Sequence, residues 1–161
     1  MVVNAGLLTG GGRARSLTVN GGTVAPGAGL GTFTVSAGAT FSGGTLEIQL
    51  QSVSSVDQLR VTGGEVVLGG RLALSVGTGF HPDADDVFAL VNNTGTGATS
   101  GTFANFADGQ VVELNGHLLR VRYNYDFAGD GQANDAVLAR VNHVPTGSAD
   151  WYAVDEDSAL V

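Results

Sequence analysis

The sequence has no cysteine and no lysine, and it has only three prolines in 161 residues. Without cysteine there can be no disulfide framework, no thiol nucleophile and no zinc ribbon. The basic residues are seven arginines against 15 carboxylates, which gives a net charge of −8 at pH 7. Phosphate backbones repel a chain of this charge, so nucleic acid and an anionic membrane surface are not expected partners. No stretch approaches the roughly 18 apolar residues of a membrane-spanning helix.

Short alternating segments fill the sequence instead. Glycine is abundant at 26 residues, and together with Asn, Asp and Ser it separates short runs such as "TLEIQLQ", "RLALSV" and "LLRVRYNY". Alternation of apolar and polar residues between turn-forming residues is typical of half-buried β-strands. No window has the apolar spacing of an amphipathic helix. The sequence therefore predicts an all-β protein with little or no helix.

A degenerate repeat is visible in the first half of the chain. The first runs begin about 12 to 16 residues apart, and "GG" recurs at Gly21, Gly43, Gly63 and Gly69. A strand, a glycine turn and a further strand form part of one coil of a β-solenoid, in which alternate side chains point inward and stack on the next coil. The residues with this inward pattern are Leu17, Val19, Phe33, Val35, Leu46, Ile48 and Leu50. An antiparallel sandwich built from hairpins accounts for the same alternation equally well.

The regularity fades after Gly77, where the loops become longer. We therefore expect β-solenoid-like coils at residues 1–75, closed by an antiparallel β-sandwich cap of the same domain at 76–142. Residues 143–149, which include Pro145 and Gly147, are predicted to form a linker. Residues 150–161 are then a separate strand.

The order of several short phrases resembles the closing segment of large bacterial surface proteins that carry autotransporter-associated β-strand repeats. The phrases are D-x-L-x-V-x-G from Asp57 to Gly63, G-x-L-x-L from Gly70 to Leu74, G-F-x-P-x-x-x-D-x-F from Gly79 to Phe88, and G-x-F from Gly101 to Phe103. The resemblance implies a right-handed parallel β-helix that ends in a compact all-β unit, at the bacterial cell surface or outside the cell. It implies no catalytic residue, because architecture rather than chemistry defines that family.

The last residues, "ADWYAVDEDSALV", resemble the opening strand of a bacterial cadherin-like tandem repeat. The matching residues are Asp150, Tyr152, Val154, Glu156, Asp157 and Leu160. Such a repeat is far longer than this segment, so the resemblance implies a truncated repeat. A strand without its own sheet can add to an exposed sheet edge of a neighbouring molecule. The expected partners are therefore neighbouring domains of the same polypeptide and, through strand addition, identical copies of the chain.

The segment "YDFAGDGQANDAVL", from Tyr125 to Leu138, concentrates side-chain oxygens. Calcium takes six to eight oxygen ligands, and the candidate ligands here are Asp126, Asp130, Asn134 and Asp135. The spacing does not match an EF-hand, and the glycine–aspartate nonapeptide of calcium-binding rolls occurs in one imperfect copy. The same composition suits a hairpin loop in which Gly129 and Gly131 adopt positive φ. We favour the turn, and calcium is the one candidate cofactor.

Sequence motifs for catalysis are absent. The chain has no G-x-S-x-G, no H-E-x-x-H and no glycine loop that opens a helix. The segment "HPDADD", from His81 to Asp86, is a poor metal candidate because its spacing does not bring the ligands to one point. Five aromatic residues could bind sugars, but we favour a role in covering the end of the core: Tyr123, Tyr125, Phe127, Trp151 and Tyr152.

These observations predict a non-catalytic structural module of a large extracellular bacterial surface or adhesin protein, which stiffens and caps a β-solenoid. The alternative is a self-assembling fibre subunit, joined by strand addition or by end-to-end stacking. A third hypothesis is a carbohydrate-binding module. We expect no enzymatic activity, no nucleic-acid partner and no insertion into a membrane.

Overall fold

A computed structural model describes residues 1–141. These residues form 17 β-strands and no helix, which confirms the all-β prediction. The predicted linker at 143–149 and the predicted strand at 150–161 lie outside the described residues, as does His143.

The strands are short and follow one another closely along the chain. In order they are β1 (Val2–Val3), β2 (Leu7–Gly10), β3 (Arg13–Ala14), β4 (Leu17–Val19), β5 (Thr23–Pro26), β6 (Thr32–Val35), β7 (Ala39–Phe41), β8 (Thr45–Ser52), β9 (Ser55–Val56), β10 (Gln58–Val61), β11 (Val66–Leu68), β12 (Arg71–Val76), β13 (Val87–Asn93), β14 (Thr99–Gly101), β15 (Val111–Leu114), β16 (His117–Tyr125) and β17 (Asp135–Arg140).

The strands belong to three sheets, which the chain visits in a fixed order. Sheet 1 has the order β1-β4-β7-β11-β14, and sheet 2 has the order β2-β5-β8-β12. Sheet 3 has the order β3-β6-β10-β13-β17-β16-β15. The chain passes from sheet 1 to sheet 2 to sheet 3 four times and then enters sheet 1 again at β14. Among β1 to β14, only β9, which pairs with β8, lies off this path, and β15, β16 and β17 then all belong to sheet 3.

Strands from successive passes pair in parallel and in register. In sheet 2, Leu46 of β8 lies beside Val24 of β5 and Leu72 of β12. In sheet 3, Leu59 of β10 lies between Phe33 of β6 and Val91 of β13. Within the first 75 residues, antiparallel pairing is confined to β8 with β9 and a single Gly10–Gly27 bridge. The strands of this half of the chain therefore pair mainly in parallel. They do not form the antiparallel hairpins that the alternation also permitted.

The buried side chains of the three sheets form one continuous hydrophobic core. The predicted inward residues, from Leu17 to Leu50, are all buried, while the residues between them along each strand are more exposed. The alternation therefore identified the core face of these strands correctly. Each apolar side chain that stacks on its counterpart from the next pass buries apolar surface. This burial stabilises the fold by about 25 cal/mol per Å².

Parallel pairing extends to Gly101, past the boundary that the sequence suggested at residue 75. β13 and β14 pair in parallel with β10 and β11, and antiparallel pairing begins where β17 joins the other side of β13. β16 and β15 then complete the antiparallel part. The alternation fades at β13 because four successive residues in its middle, Phe88 to Val91, are all buried, and only Val87 and Asn92 are partly exposed.

Candidate functional site

The loop at residues 126–134, between β16 and β17, is held by its own side chains. The backbone N–H groups of Asp130 and Gly131 donate to the two carboxylate oxygens of Asp126, at 3.1 and 3.0 Å. The N–H of Gln132 donates to Asp130 Oδ1 at 2.9 Å. Gly129 and Gly131 have φ of 68° and 83°, which confirms the predicted turn geometry. The exposed aspartates of this loop therefore cap backbone donors.

Asp135 differs from these two aspartates because it is completely buried at the start of β17. Its Oδ1 accepts a hydrogen bond from the N–H of Asn93 at 2.7 Å, and its Oδ2 accepts one from the N–H of Phe127, also at 2.7 Å. Burial raises the pKa of the Asp135 carboxyl above 3.8, and the backbone hydrogen bonds offset part of that rise. The side chain joins the end of β13 to the start of the loop.

A buried polar network connects this loop to residues 94–98. Asn134 Nδ2 donates to the carbonyl oxygens of Gly95 and Gly97, at 3.0 and 3.1 Å. Thr99 Oγ1 donates to the carbonyl of Asn134 at 2.5 Å, and Asn93 Nδ2 donates to both Gly97 O and Thr99 Oγ1. Asn134 Oδ1 is buried and has no hydrogen-bond partner among the described residues. Asn134 thus fastens two loops together.

The four candidate calcium ligands do not form one oxygen cage. Asp126 and Asp135 each use both carboxylate oxygens on backbone N–H groups. Within residues 1–141, no group of three or more His, Asp or Glu residues could hold a metal ion. A shallow depression of about 490 Å³ lies beside the loop, and Asp130 and Asn134 are among its lining residues. The geometry suits a capped turn.

Calcium should therefore leave the melting temperature of the protein unchanged. Asp126→Ala should lower stability by about 1 kcal/mol, with or without calcium, because it removes two exposed turn hydrogen bonds. Thermal unfolding of both proteins in calcium and in a chelator measures this directly. A rise in melting temperature that needs calcium and that Asp130→Ala abolishes would show that the loop is a metal site after all.

The two described histidines are adjacent, which their separation in sequence did not suggest. The rings of His81 and His117 are 4.9 Å apart in an edge-to-face arrangement, and His117 also contacts Phe80. In the "HPDADD" segment, the N–H of Asp83 donates to Asp86 Oδ2 at 2.7 Å, as in a turn. Two imidazoles without a third convergent ligand are an incomplete metal site.

Asp57 is a buried carboxylate to which the sequence assigned no structural role. Its Oδ1 accepts a hydrogen bond from the N–H of Gly31 at 2.8 Å, and its Oδ2 accepts one from the N–H of Gln49 at 3.0 Å. Burial raises the pKa of Asp57, against the opposing effect of these hydrogen bonds. Asp57 is the first residue of the D-x-L-x-V-x-G phrase and lies just before β10. Its carboxylate connects this position to Gly31, just before β6, and to Gln49 in β8.

Side chains also cover the outer edge of β12. Asn105 Oδ1 accepts from the N–H of Leu72, and Asn105 Nδ2 donates to the Leu72 carbonyl, both at 2.9 Å.

The buried hydroxyl of Tyr123 accepts from the N–H of Phe103 and donates to the carbonyl of Phe106. Tyr123 is therefore part of the hydrophobic core, and its hydroxyl ties Phe103 to Phe106.

The other predicted aromatic cap residues differ from Tyr123. Tyr125 is partly buried, and Phe127 is 38% exposed. Trp151 and Tyr152 lie outside the described residues.

No protein-family model matches the chain, and no curated protein matches it. The resemblances to bacterial surface proteins and to cadherin-like repeats therefore remain predictions. Within the described part of the chain, nothing helical has the length and apolar character needed to cross a membrane.

Proposed function

We propose that this chain is a non-catalytic structural module of a large extracellular bacterial surface protein, in which it stiffens a β-solenoid and closes one end of it. The observation that carries the proposal is the repeated passage through sheets 1, 2 and 3, with parallel in-register pairing between passes. Each pass is one coil, and the three sheets are the faces of the solenoid.

The corner between sheets 1 and 2 supports this interpretation because it repeats from coil to coil. Four positive-φ glycines immediately precede the four strands of sheet 2: Gly6, Gly22, Gly44 and Gly70. Side chains at the same corner form a ladder, in which Asn20 Nδ2 donates to Asn4 Oδ1 at 2.9 Å and Ser42 Oγ donates to Asn20 Oδ1 at 2.7 Å. A stack of equivalent turns makes a stiff rod, because each coil is held by the next.

The last coil supports the capping role. An uncovered strand edge presents unpaired N–H and C=O groups and invites further strands to add. In sheet 3 the antiparallel strands β17, β16 and β15 continue past β13. In sheet 2, Asn105 occupies the backbone groups of Leu72, where a further strand would pair. These features end the parallel stack at this side of the domain.

The second candidate is a fibre subunit, and the opposite end of the described chain favours it. β1, β2 and β3 are the edge strands of their sheets there. Val2 is 61% exposed and Leu7 is 64% exposed at this end. Apolar side chains beside open strand edges suit stacking on another coil, either of the same polypeptide or of a second copy.

Sedimentation velocity of the full chain at rising concentration tests the capping role. The wild-type chain should remain monomeric, whereas Asn105→Ala should associate reversibly because it frees the N–H and C=O of Leu72. Asn20→Ala is the matched control, since it removes a corner asparagine that covers no strand edge. An Asn105→Ala variant that stays monomeric would contradict the capping role.

Filaments of the wild-type chain in electron microscopy would instead favour the fibre subunit. Leu7→Lys would then place a charge at the open end, where it should block end-to-end stacking. Removal of residues 148–161 would test strand addition separately.

A further inference from the structure

Arginine is distributed unevenly over the three sheets. Six of the seven arginines lie on sheet 3 or directly beside it, and Arg71 alone lies on sheet 2. The strands β3, β6, β10 and β13 contain no Asp or Glu. A chain with a net charge of −8 therefore carries a basic face.

Three of these arginines line one groove on the exposed face of sheet 3. The groove is a shallow depression of about 530 Å³, and its lining residues are Arg13, Ala14, Arg15, Thr34, Ser36, Arg60 and Thr62. Arg13, Arg15 and Arg60 are exposed. Every lining residue except Ala14 carries a guanidinium or hydroxyl group. The Thr62 hydroxyl also donates to the Val35 carbonyl at 3.5 Å, and the other groups present their donors to solvent.

The parallel register fixes the spacing of the groove. Arg13 of β3 and Arg60 of β10 both lie beside Thr34 of β6, one on each side. Neighbouring strands are about 4.8 Å apart, so the backbones at the two arginines are roughly 10 Å apart. Rigid strands hold this separation, and it is comparable to the length of a disaccharide.

The guanidinium groups of this groove have no carboxylate partners within residues 1–141. Arg140 differs from them because its guanidinium is already engaged: its Nη1 donates to the carbonyls of Leu118 and Val141. Arg13 and Arg60 lie on the two strands that flank β6, where their like charges repel one another, and an anion that bridges them removes that repulsion. Guanidinium binds carboxylate and sulfate oxygens through paired, charge-assisted hydrogen bonds.

We propose that this groove binds an anionic glycan, with Arg13 and Arg60 on acidic groups about one disaccharide apart and the hydroxyls of Thr34, Ser36 and Thr62 on the sugar hydroxyls. Single-stranded nucleic acid fits less well, because no aromatic side chain lines the groove for bases to stack on. A protein partner also fits less well, because Ala14 is the only apolar lining residue and interfaces need an apolar centre. The proposed site would add a surface-recognition role to the structural one, and it does not require the capping role.

Isothermal titration of the full chain at low ionic strength tests the site with four probes. These are oligogalacturonate, a heparin-derived oligosaccharide, neutral dextran and oligothymidylate. We expect one or both anionic glycans to bind, and the pair distinguishes carboxylate from sulfate as the recognised group. The double variant Arg13→Gln/Arg60→Gln should weaken that binding about tenfold or more, since each charge-assisted pair contributes over 1 kcal/mol.

Arg71→Gln is the control, because it removes one positive charge from another sheet and matches the charge change of Arg15→Gln. It should leave the affinity unchanged, and Arg15→Gln provides a second measurement should the double variant fail to fold. The proposal is overturned if neither anionic glycan binds, if Arg71→Gln weakens binding as much as the double variant, or if oligothymidylate binds equally tightly. The sedimentation experiment tests the capping role, and its result, monomeric or associated, does not affect these binding outcomes.

Discussion

Asp135→Ala should lower the free energy of unfolding by about 3 to 5 kcal/mol. The carboxylate is completely buried, and it accepts hydrogen bonds from the N–H groups of Asn93 and Phe127. Alanine leaves both donors without a partner in a dry environment, and each unsatisfied donor costs about 1 to 3 kcal/mol. Urea unfolding followed by circular dichroism measures the loss.

Asp130→Ala is the control for this change. Asp130 lies in the same loop and accepts one backbone hydrogen bond, but it is exposed. Water replaces that bond when the side chain is removed, so the expected loss is below about 1 kcal/mol. Equal losses in the two variants would show that Asp135 has no special structural role.

A second measurement uses the pKa of Asp135, which burial raises above 3.8. The folded protein then takes up a proton at this site before the unfolded chain does. As pH falls through the raised pKa towards 3.8, this group therefore adds to the free energy of unfolding. Asp135→Asn cannot titrate, so the stability of the wild-type chain relative to this variant should increase over that window. A difference that is constant with pH would contradict the raised pKa.

The inward face of the early strands could be predicted because burial on a half-buried strand has a period of two. Leu46, Ile48 and Leu50 alternate with polar residues, and all three are buried. The pairing direction could not be predicted, since alternation is the same in a parallel and an antiparallel sheet. Direction depends on which segments meet, and that is decided by contacts across about 20 residues of chain, such as Leu46 beside Val24.

The roles of the buried carboxylates could not be predicted for a similar reason. The hydrogen-bond donors to Asp57 and Asp135 include Gly31 and Asn93, which are 26 and 42 residues away. In sequence, Asp135 is indistinguishable from the exposed aspartates of its loop. Only the fold determines which carboxylate is withdrawn from water and which caps a surface turn.

The "GG" pairs correctly indicated repeated turns, but they occur at two different corners of the fold. Gly21, Gly43 and Gly69 lie at the corner that leads into sheet 2, whereas Gly63 follows β10 and leads out of sheet 3. At the first corner, each glycine pair lies against the backbone of the preceding passage through the three sheets. The requirement for glycine there comes from segments of the preceding passage, and the composition of the turn alone does not reveal it.

Gly44→Ala should lower the free energy of unfolding by about 3 kcal/mol, through two separate effects. Its φ of 69° is left-handed, which costs a residue with a Cβ about 1 to 2 kcal/mol. A Cβ there would also lie 2.7 Å from Val19 Cγ1 and 2.8 Å from the carbonyl oxygen of Gly22. That carbonyl accepts the hydrogen bond from the N–H of Thr45 at 2.9 Å, so it cannot move aside without loosening the pairing of β5 with β8.

Gly6→Ala separates the two effects. Gly6 occupies the same corner at the open end, with a φ of 78°, but a Cβ there would have no atom within 4 Å. It should therefore show the backbone strain alone, about 1 kcal/mol. Denaturant unfolding of both variants gives the difference, about 2 kcal/mol, which is the contribution of the close approach of Gly44 to Val19 and Gly22. Equal losses would mean that successive passages through the sheets do not press on one another at this corner, and the proposed β-solenoid would then lose its steric basis.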